Sequence, residues 1–294
     1  MEPKNNLQQN SQKKNYIRNI ICHIPRMFLM LRVTMVVTCR IPLNPIYPGM
    51  TVTRQLAQYG SSGGDVEHLQ GLLNKIVVKG FLKGSVSPLK TDGKFGSKTL
   101  DLVDAFQKHA NLDADGKVGK CTWSALEGTE KYNRFDFSNW VKQPNDSECW
   151  AAAVAMLKGR STPIRKRYDT STPPVDYSID GGLENSHTNM RRFARYSRLQ
   201  FAMYVKCKTL CDMVAARGRV MINVRGMHGN MTNANVNNSH LMCIMGIRGS
   251  GEPGGTTLTI YNPWGKGDTR RKVTRSFRYL SNRYPGLMYQ CLYR

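Results

Sequence analysis

The sequence predicts an α+β protein of two domains: a small three-helix domain, then a larger one with a helical lobe and an antiparallel β lobe. Three observations predict it. The pattern D-G-x-[FV]-G-x-x-T occurs twice between residues 92 and 122, and each copy runs into a helix-forming stretch. Cys149-Trp150-Ala151-Ala152-Ala153 opens a segment rich in strong helix formers. From Arg219 onward, short apolar or alternating runs are separated by Gly- and Asn-rich turns, which reads as a meander of strands.

The small domain is assigned to 49–129. Asp65-Val66-Glu67-His68-Leu69-Gln70-Gly71-Leu72-Leu73 has helical apolar spacing, with Asp65 as the expected N-cap. Asp92 to Thr99 then precedes the helix Leu100–His109. Asp115 to Thr122 follows 23 residues later and precedes Trp123-Ser124-Ala125-Leu126. Each copy supplies a tight Asp-Gly turn, an apolar plug, a second Gly and a Thr at the helix start. Asp113, Asp115 and Gly116 are spaced like the start of a calcium loop. The twelfth position holds Ser124 rather than a bidentate acid, so the aspartates read as turn and cap residues. The paired motif, with Ala105-Phe106-Gln107 between the copies, resembles the three-helix peptidoglycan-binding domain of bacterial wall hydrolases. That resemblance implies peptidoglycan as a partner, held on a shallow groove whose contacts the sequence does not name.

The larger domain is assigned to 143–294. Pro144, Asn145, Asp146 and Ser147 form a polar loop that feeds Cys149 into the first turn of a buried helix. The positive end of the helix dipole there favours a thiolate. Gln143 lies six residues upstream, near enough for its amide to fold back beside the sulfur and donate to an oxyanion. A thiol nucleophile needs a base and a group that orients the base. His240 heads the apolar run Leu241–Gly246, and Thr256–Tyr261 ends in Asn262-Pro263-Trp264-Gly265. A hairpin of these two strands would bring His240 and Asn262 together. His228 is the rival base, Asp268 the rival orienting group, and His187 a poor candidate because no apolar strand follows it.

The order Gln143, Cys149, His240, Asn262, with Trp after the Cys and N-x-W-G after the second strand, resembles the papain-like cysteine peptidases. The Cys-Trp-Ala-Ala-Ala version is similar to the avirulence-type bacterial effector branch. The likeness covers roughly 141–294, and Glu148 departs from the Gly found before the Cys in many relatives. It implies that His240 deprotonates Cys149 and that Asn262 holds the imidazole tautomer. Gln143 and the Cys149 N–H would form an oxyanion hole, and the chemistry would need no cofactor.

Composition bounds the partners. The 294-residue chain has a formal net charge of +23, which suggests a polyanionic partner: nucleic acid, an anionic membrane face or an anionic wall. Its basic residues are scattered and no nucleic-acid motif appears, so nucleic acid is not expected. The eight cysteines form no CxxC pair and no Cys/His zinc spacing. Cys207 and Cys211, four apart on one helix face, are expected as core thiols rather than a disulfide. Residues 1–48 read as a leader. Met27–Cys39 is apolar with basic residues before it, like a signal peptide. It is too short to span a membrane, and no small-x-small cleavage site follows. Residues 130–142 read as a linker.

Together the two resemblances imply a secreted, periplasmic or wall-associated hydrolase that cleaves amide bonds of peptidoglycan as an endopeptidase or amidase. An antibacterial effector of this kind would bring an immunity protein and a secretion apparatus as partners. The alternatives are a protein-cleaving effector that uses the module for retention or transit, and a wall-binding protein with a decayed enzyme domain. Intact Gln143, Cys149, His240 and Asn262 argue against decay.

Overall fold

A computed structural model of the chain describes residues 54–82, 87–164, 175–225, 239–264, 271–284 and 286–294. The leader assigned to 1–48, the rival base His228 and the rival orienting residue Asp268 lie outside these residues.

The first domain packs three helices, α1 (Gly64–Val78), α2 (Ser97–His109) and α3 (Lys120–Glu127). Leu69, Leu73, Val103, Phe106, Val118 and Trp123 form its buried core. The repeated motif has a structural cause. Gln70 of α1 donates to Lys94 O at 3.0 Å and to Asp92 Oδ1 at 3.0 Å, and its Oε1 accepts from Gly93 N at 2.9 Å. Gln107 of α2 repeats these bonds with Lys117 O at 2.9 Å, Asp115 Oδ1 at 3.2 Å and Gly116 N at 3.0 Å. Each buried amide thus satisfies one Asp-Gly turn and holds it against the preceding helix. The turn glycines have φ of +68° at Gly93 and +69° at Gly116. A Cβ at Gly116 would also meet Leu100 Cδ1 at 2.5 Å.

Asp65 is not the N-cap of α1. Gly63 caps that helix, and Asp65 sits in its first turn. There it accepts from Arg54 at 2.8 Å, so an ion pair has taken the carboxylate that capping would have used.

The second domain is a seven-stranded antiparallel sheet with helices on both faces. Its strands are β1 (Tyr132–Phe135), β2 (Gln200–Met203), β3 (Val220–Arg225), β4 (Ser239–Gly249), β5 (Thr256–Tyr261), β6 (Lys272–Ser276) and β7 (Gly286–Tyr293). The order is β2-β7-β3-β4-β5-β6. β4 is the long central strand: β3 pairs with its first half and β1 with its second, at Gly246–Gly249. The helices α4 (Cys149–Leu157) and α5 (His187–Tyr196) cover one face through Trp150, Met156, Phe193, Leu241 and Cys243. The helices α6 (Cys207–Arg217) and α7 (Phe277–Arg283) cover the other through Leu210, Val214, Ile222, Ile244 and Leu280. Cys207 and Cys211 are free, buried thiols on α6.

Two segments differ from the sequence reading. The stretch taken as a linker contains β1, which replaces β3 as the neighbour of β4. In the stretch read as a meander of strands, β6 stops at Ser276, whose Oγ accepts from Tyr279 N at 3.2 Å and caps the helix α7 (Phe277–Arg283). The hydroxyl turns an alternating segment of strand-like composition into a helix start.

The helical domain docks on the β4–β6 side of the sheet. Arg248 of β4 pairs with Glu130 and donates from Nη1 to Ala110 O at 2.7 Å. Arg275 of β6 pairs with Asp113 at 2.8 Å, and Lys272 donates to Asn111 Oδ1 at 2.7 Å. Cys121 is half-buried and faces Gly254 O at 3.8 Å, whereas Lys98, its counterpart in the first copy of the repeat, is exposed.

Candidate active site

The site is assembled where α4 begins and β5 ends. Asn145 Oδ1 accepts from the backbone N–H groups of Ser147 and Glu148, both at 2.9 Å. This Asx turn folds the loop and sets Cys149 as the first residue of α4. Eight consecutive residues of that helix, Trp150–Leu157, are buried, so it is packed on every side. Trp150 Nε1 donates to Gly181 O at 2.9 Å, tying a loop from the α5 side across the helix start.

β5 leaves the ladder at Tyr261, opposite Cys243, so the start of β4 runs on past it. In that stretch the backbone N–H of Leu241 donates to Cys149 Sγ at 3.5 Å. The residue before it is His240, buried and 2.7 Å from Asn262 Oδ1 through Nε2. The backbone N–H of Trp264 donates to the same Oδ1 at 3.0 Å. A backbone N–H can only donate, so that amide atom is the oxygen and His240 Nε2 carries its proton. In the neutral ring Nδ1 is then the proton acceptor.

Gln143 is buried at 4% exposure, and its backbone N–H donates to Pro263 O at 3.0 Å. Its side-chain amide donates to Asn145 O at 2.7 Å, while Oε1 is buried with no hydrogen-bond partner among the described residues. The structure therefore brings Gln143 onto the Asn262–Trp264 turn, and Cys149 and His240 onto the start of β4. His187 opens α5 and stacks edge-on against Tyr204.

The electrostatics differ from the dipole expectation. Burial pushes the Cys149 thiol up to about 11, although the N–H groups of Leu241, Trp150 and Cys149 itself pull the other way. Desolvation of the thiolate outweighs the helix N-terminus here. Asp180, on the loop tied by Trp150, is held down at about 2 by the hydroxyls of Ser147 and Ser178 and the N–H of Gly182. Among the described residues no three His, Cys, Asp or Glu side chains are grouped to hold a metal ion.

Sequence reasoning missed two contributors. The Leu241 amide is a backbone group and leaves no mark in composition. Trp140 donates from Nε1 to Asn262 O at 2.7 Å, but stands in the stretch read as linker. Its signal was an aromatic residue three positions before Gln143.

Residues 62–126, which hold both copies of the repeat, match the family described as "Putative peptidoglycan binding domain". The chain therefore carries a peptidoglycan-binding domain. It is also similar to a solved structure described as a Burkholderia AP3 phage endolysin. The identity is 36% over 26% of this chain and 26% of the endolysin chain, with a TM-score of 0.22. The match spans about a quarter of each protein. No helix among the described residues is long and apolar enough to cross a membrane.

Proposed function

We propose that this chain is a wall-associated cysteine hydrolase of papain-like type that cleaves amide bonds in peptidoglycan. The observation that carries the reading is the fixed polarity of the Trp264–Asn262–His240 relay beside the Leu241–Cys149 contact. The relay leaves His240 Nδ1 as the base. Transfer of the Cys149 proton to Nδ1 yields a thiolate–imidazolium pair, which a desolvated site favours over a lone thiolate.

The thiolate adds to the amide carbonyl carbon. The oxyanion takes hydrogen bonds from the Cys149 N–H and from the Gln143 amide, whose nitrogen bears a second hydrogen beyond the one given to Asn145. The imidazolium returns its proton to the leaving amine, and a thioester remains on Cys149. Water, deprotonated by His240, releases the acid and restores the thiol. The peptidoglycan-binding domain concentrates the enzyme on its substrate and places it at the cell wall.

Purified sacculi and a denatured protein, each incubated with wild type and Cys149→Ala, test the reading. Soluble muropeptide fragments from sacculi, absent with Cys149→Ala, are expected. Cleavage of the denatured protein alone would favour a protein-cleaving effector. No turnover of either would leave a binding protein.

A further inference from the structure

Trp140 and the turn Asn262–Trp264 are joined from three sides. Trp140 Nε1 donates to Asn262 O at 2.7 Å. Three residues on, Gln143 N donates to Pro263 O at 3.0 Å. The Arg271 guanidinium lies 4.5 Å from the centre of the Trp140 ring, and Arg271 O accepts from Asn262 N at 2.9 Å. Both backbone polar groups of Asn262 are therefore engaged, and the Trp140 indole lies between the 140–143 segment and the chain that follows the turn. The Asn262 side chain also receives the Trp264 N–H and the His240 Nε2–H on one oxygen.

We infer that Trp140 is a positioning residue of the reaction: its indole N–H fixes the Asn262 backbone, and thereby the rotamer that holds the His240 tautomer. This rests on the proposed roles of Cys149, His240 and Asn262. The segment that carries Trp140 also carries Gln143. A single staple thus sets the base-orienting group and the oxyanion donor in register with each other. An indole suits the task because one face stacks on a cation while its single N–H points in one direction. A side chain that only filled space would not need that donor.

The test compares wild type with Trp140→Phe, Asn262→Ala, the double variant and Cys149→Ala, using release of fragments from purified sacculi. Trp140→Phe keeps a ring for Arg271 and removes the N–H. It should lower kcat by about tenfold, within the range of up to about a hundredfold that a small misplacement brings, and leave KM near its wild-type value. The double variant should be no slower than Asn262→Ala alone, because the indole acts through Asn262. The ¹⁵N shifts of the His240 ring should move from a single tautomer towards a mixture in Trp140→Phe. Should that variant fold poorly, benzothienylalanine at position 140 keeps the indole shape without the N–H, and the same results are expected. Wild-type kcat in a folded variant lacking this N–H would overturn the inference, as would losses in the double variant that multiply. If Cys149→Ala or Asn262→Ala retains full turnover, the catalytic reading itself falls, and that outcome is distinct from failure of the Trp140 assignment alone.

Discussion

Arg248 and Ala110 join the two domains through one buried hydrogen bond, from the guanidinium Nη1 to the carbonyl oxygen at 2.7 Å. Arg248 stands near the end of the strand that begins with Ser239-His240, so the peptidoglycan-binding domain is seated on the strand that holds the candidate base. The partner carboxylate, Glu130, is enclosed as well, and burial raises its pKa despite the opposing pull of Arg248. Removing Arg248 would leave that carboxylate buried and uncompensated. Arg248→Met should destabilise the protein by about 3–5 kcal/mol at neutral pH. A folded pKa raised further means stability that is present at low pH and lost as pH rises. The deficit should therefore shrink towards pH 4–5. Arg248→Met/Glu130→Met should recover most of it. Urea melts at two pH values measure all three, and a single variant as stable as wild type at pH 7 would refute the clamp.

The twin glutamines give a second prediction. Gln107 is fully buried and bonds Lys117 O, Asp115, Thr122 and Gly116 N. Gln107→Leu has similar volume but orphans Gly116 N and the turn carbonyl. Each orphaned buried group costs about 1–3 kcal/mol, so a loss of about 3 kcal/mol is expected. Gln70→Leu should behave alike, since it makes the matching set. Thermal denaturation of an isolated 54–129 fragment provides the readout, and losses below about 1 kcal/mol would show the repeat to be held by apolar packing instead.

These glutamines mark how far the sequence could be read. The repeat was visible because each Asp-Gly turn demands the same residue types. The helix at Cys149 was visible because Ala-rich apolar runs have few other outcomes. His240 and Asn262 came together as the hairpin of two apolar strands required. What stayed hidden depends on partners distant in sequence. β1 is four residues of mixed polarity, YNRF, and becomes a strand only because β3 ends where it can pair with β4. The capping role of Ser276 required knowing that the chain turns there. The raised Cys149 thiol depends on the distant segments that pack beside the start of α4, which no local pattern encodes.

Two enclosed thiols set the alkaline limit of the fold. Burial pushes Cys243 and Cys291 to about 12 from an ordinary 9.0. The native state thus holds these protons more tightly than the unfolded chain. Stability from this source is complete below about pH 9 and is lost progressively as pH rises from there to about 12. Urea midpoints should be flat from pH 7 to 8.5 and fall steadily by pH 10.5. Cys291→Ala, which replaces a buried thiol with a group that cannot ionise, should flatten that fall. Equal midpoints for wild type at pH 7 and 10.5 would contradict it.

Desolvation makes Cys149 a sensitive reporter of its base. Without a proton acceptor, a thiol at about 11 is ionised to roughly one part in ten thousand at pH 7. Iodoacetamide reacts with the thiolate, so the alkylation rate of Cys149 reads its ionised fraction. In the wild type the proton can pass to His240 Nδ1, and alkylation should stay fast through neutral pH. His240→Ala removes the acceptor, so the rate at pH 7 should drop by at least a hundredfold and its midpoint should climb towards 11. Asn262→Ala keeps an imidazole in place, and should slow turnover while moving the midpoint by much less. His228→Ala should leave the profile as it is. The rates are followed by mass spectrometry of the Cys149 peptide, which separates it from the other thiols. A midpoint that shifts in His228→Ala and holds in His240→Ala would assign the base to His228 and dissolve the relay through Asn262.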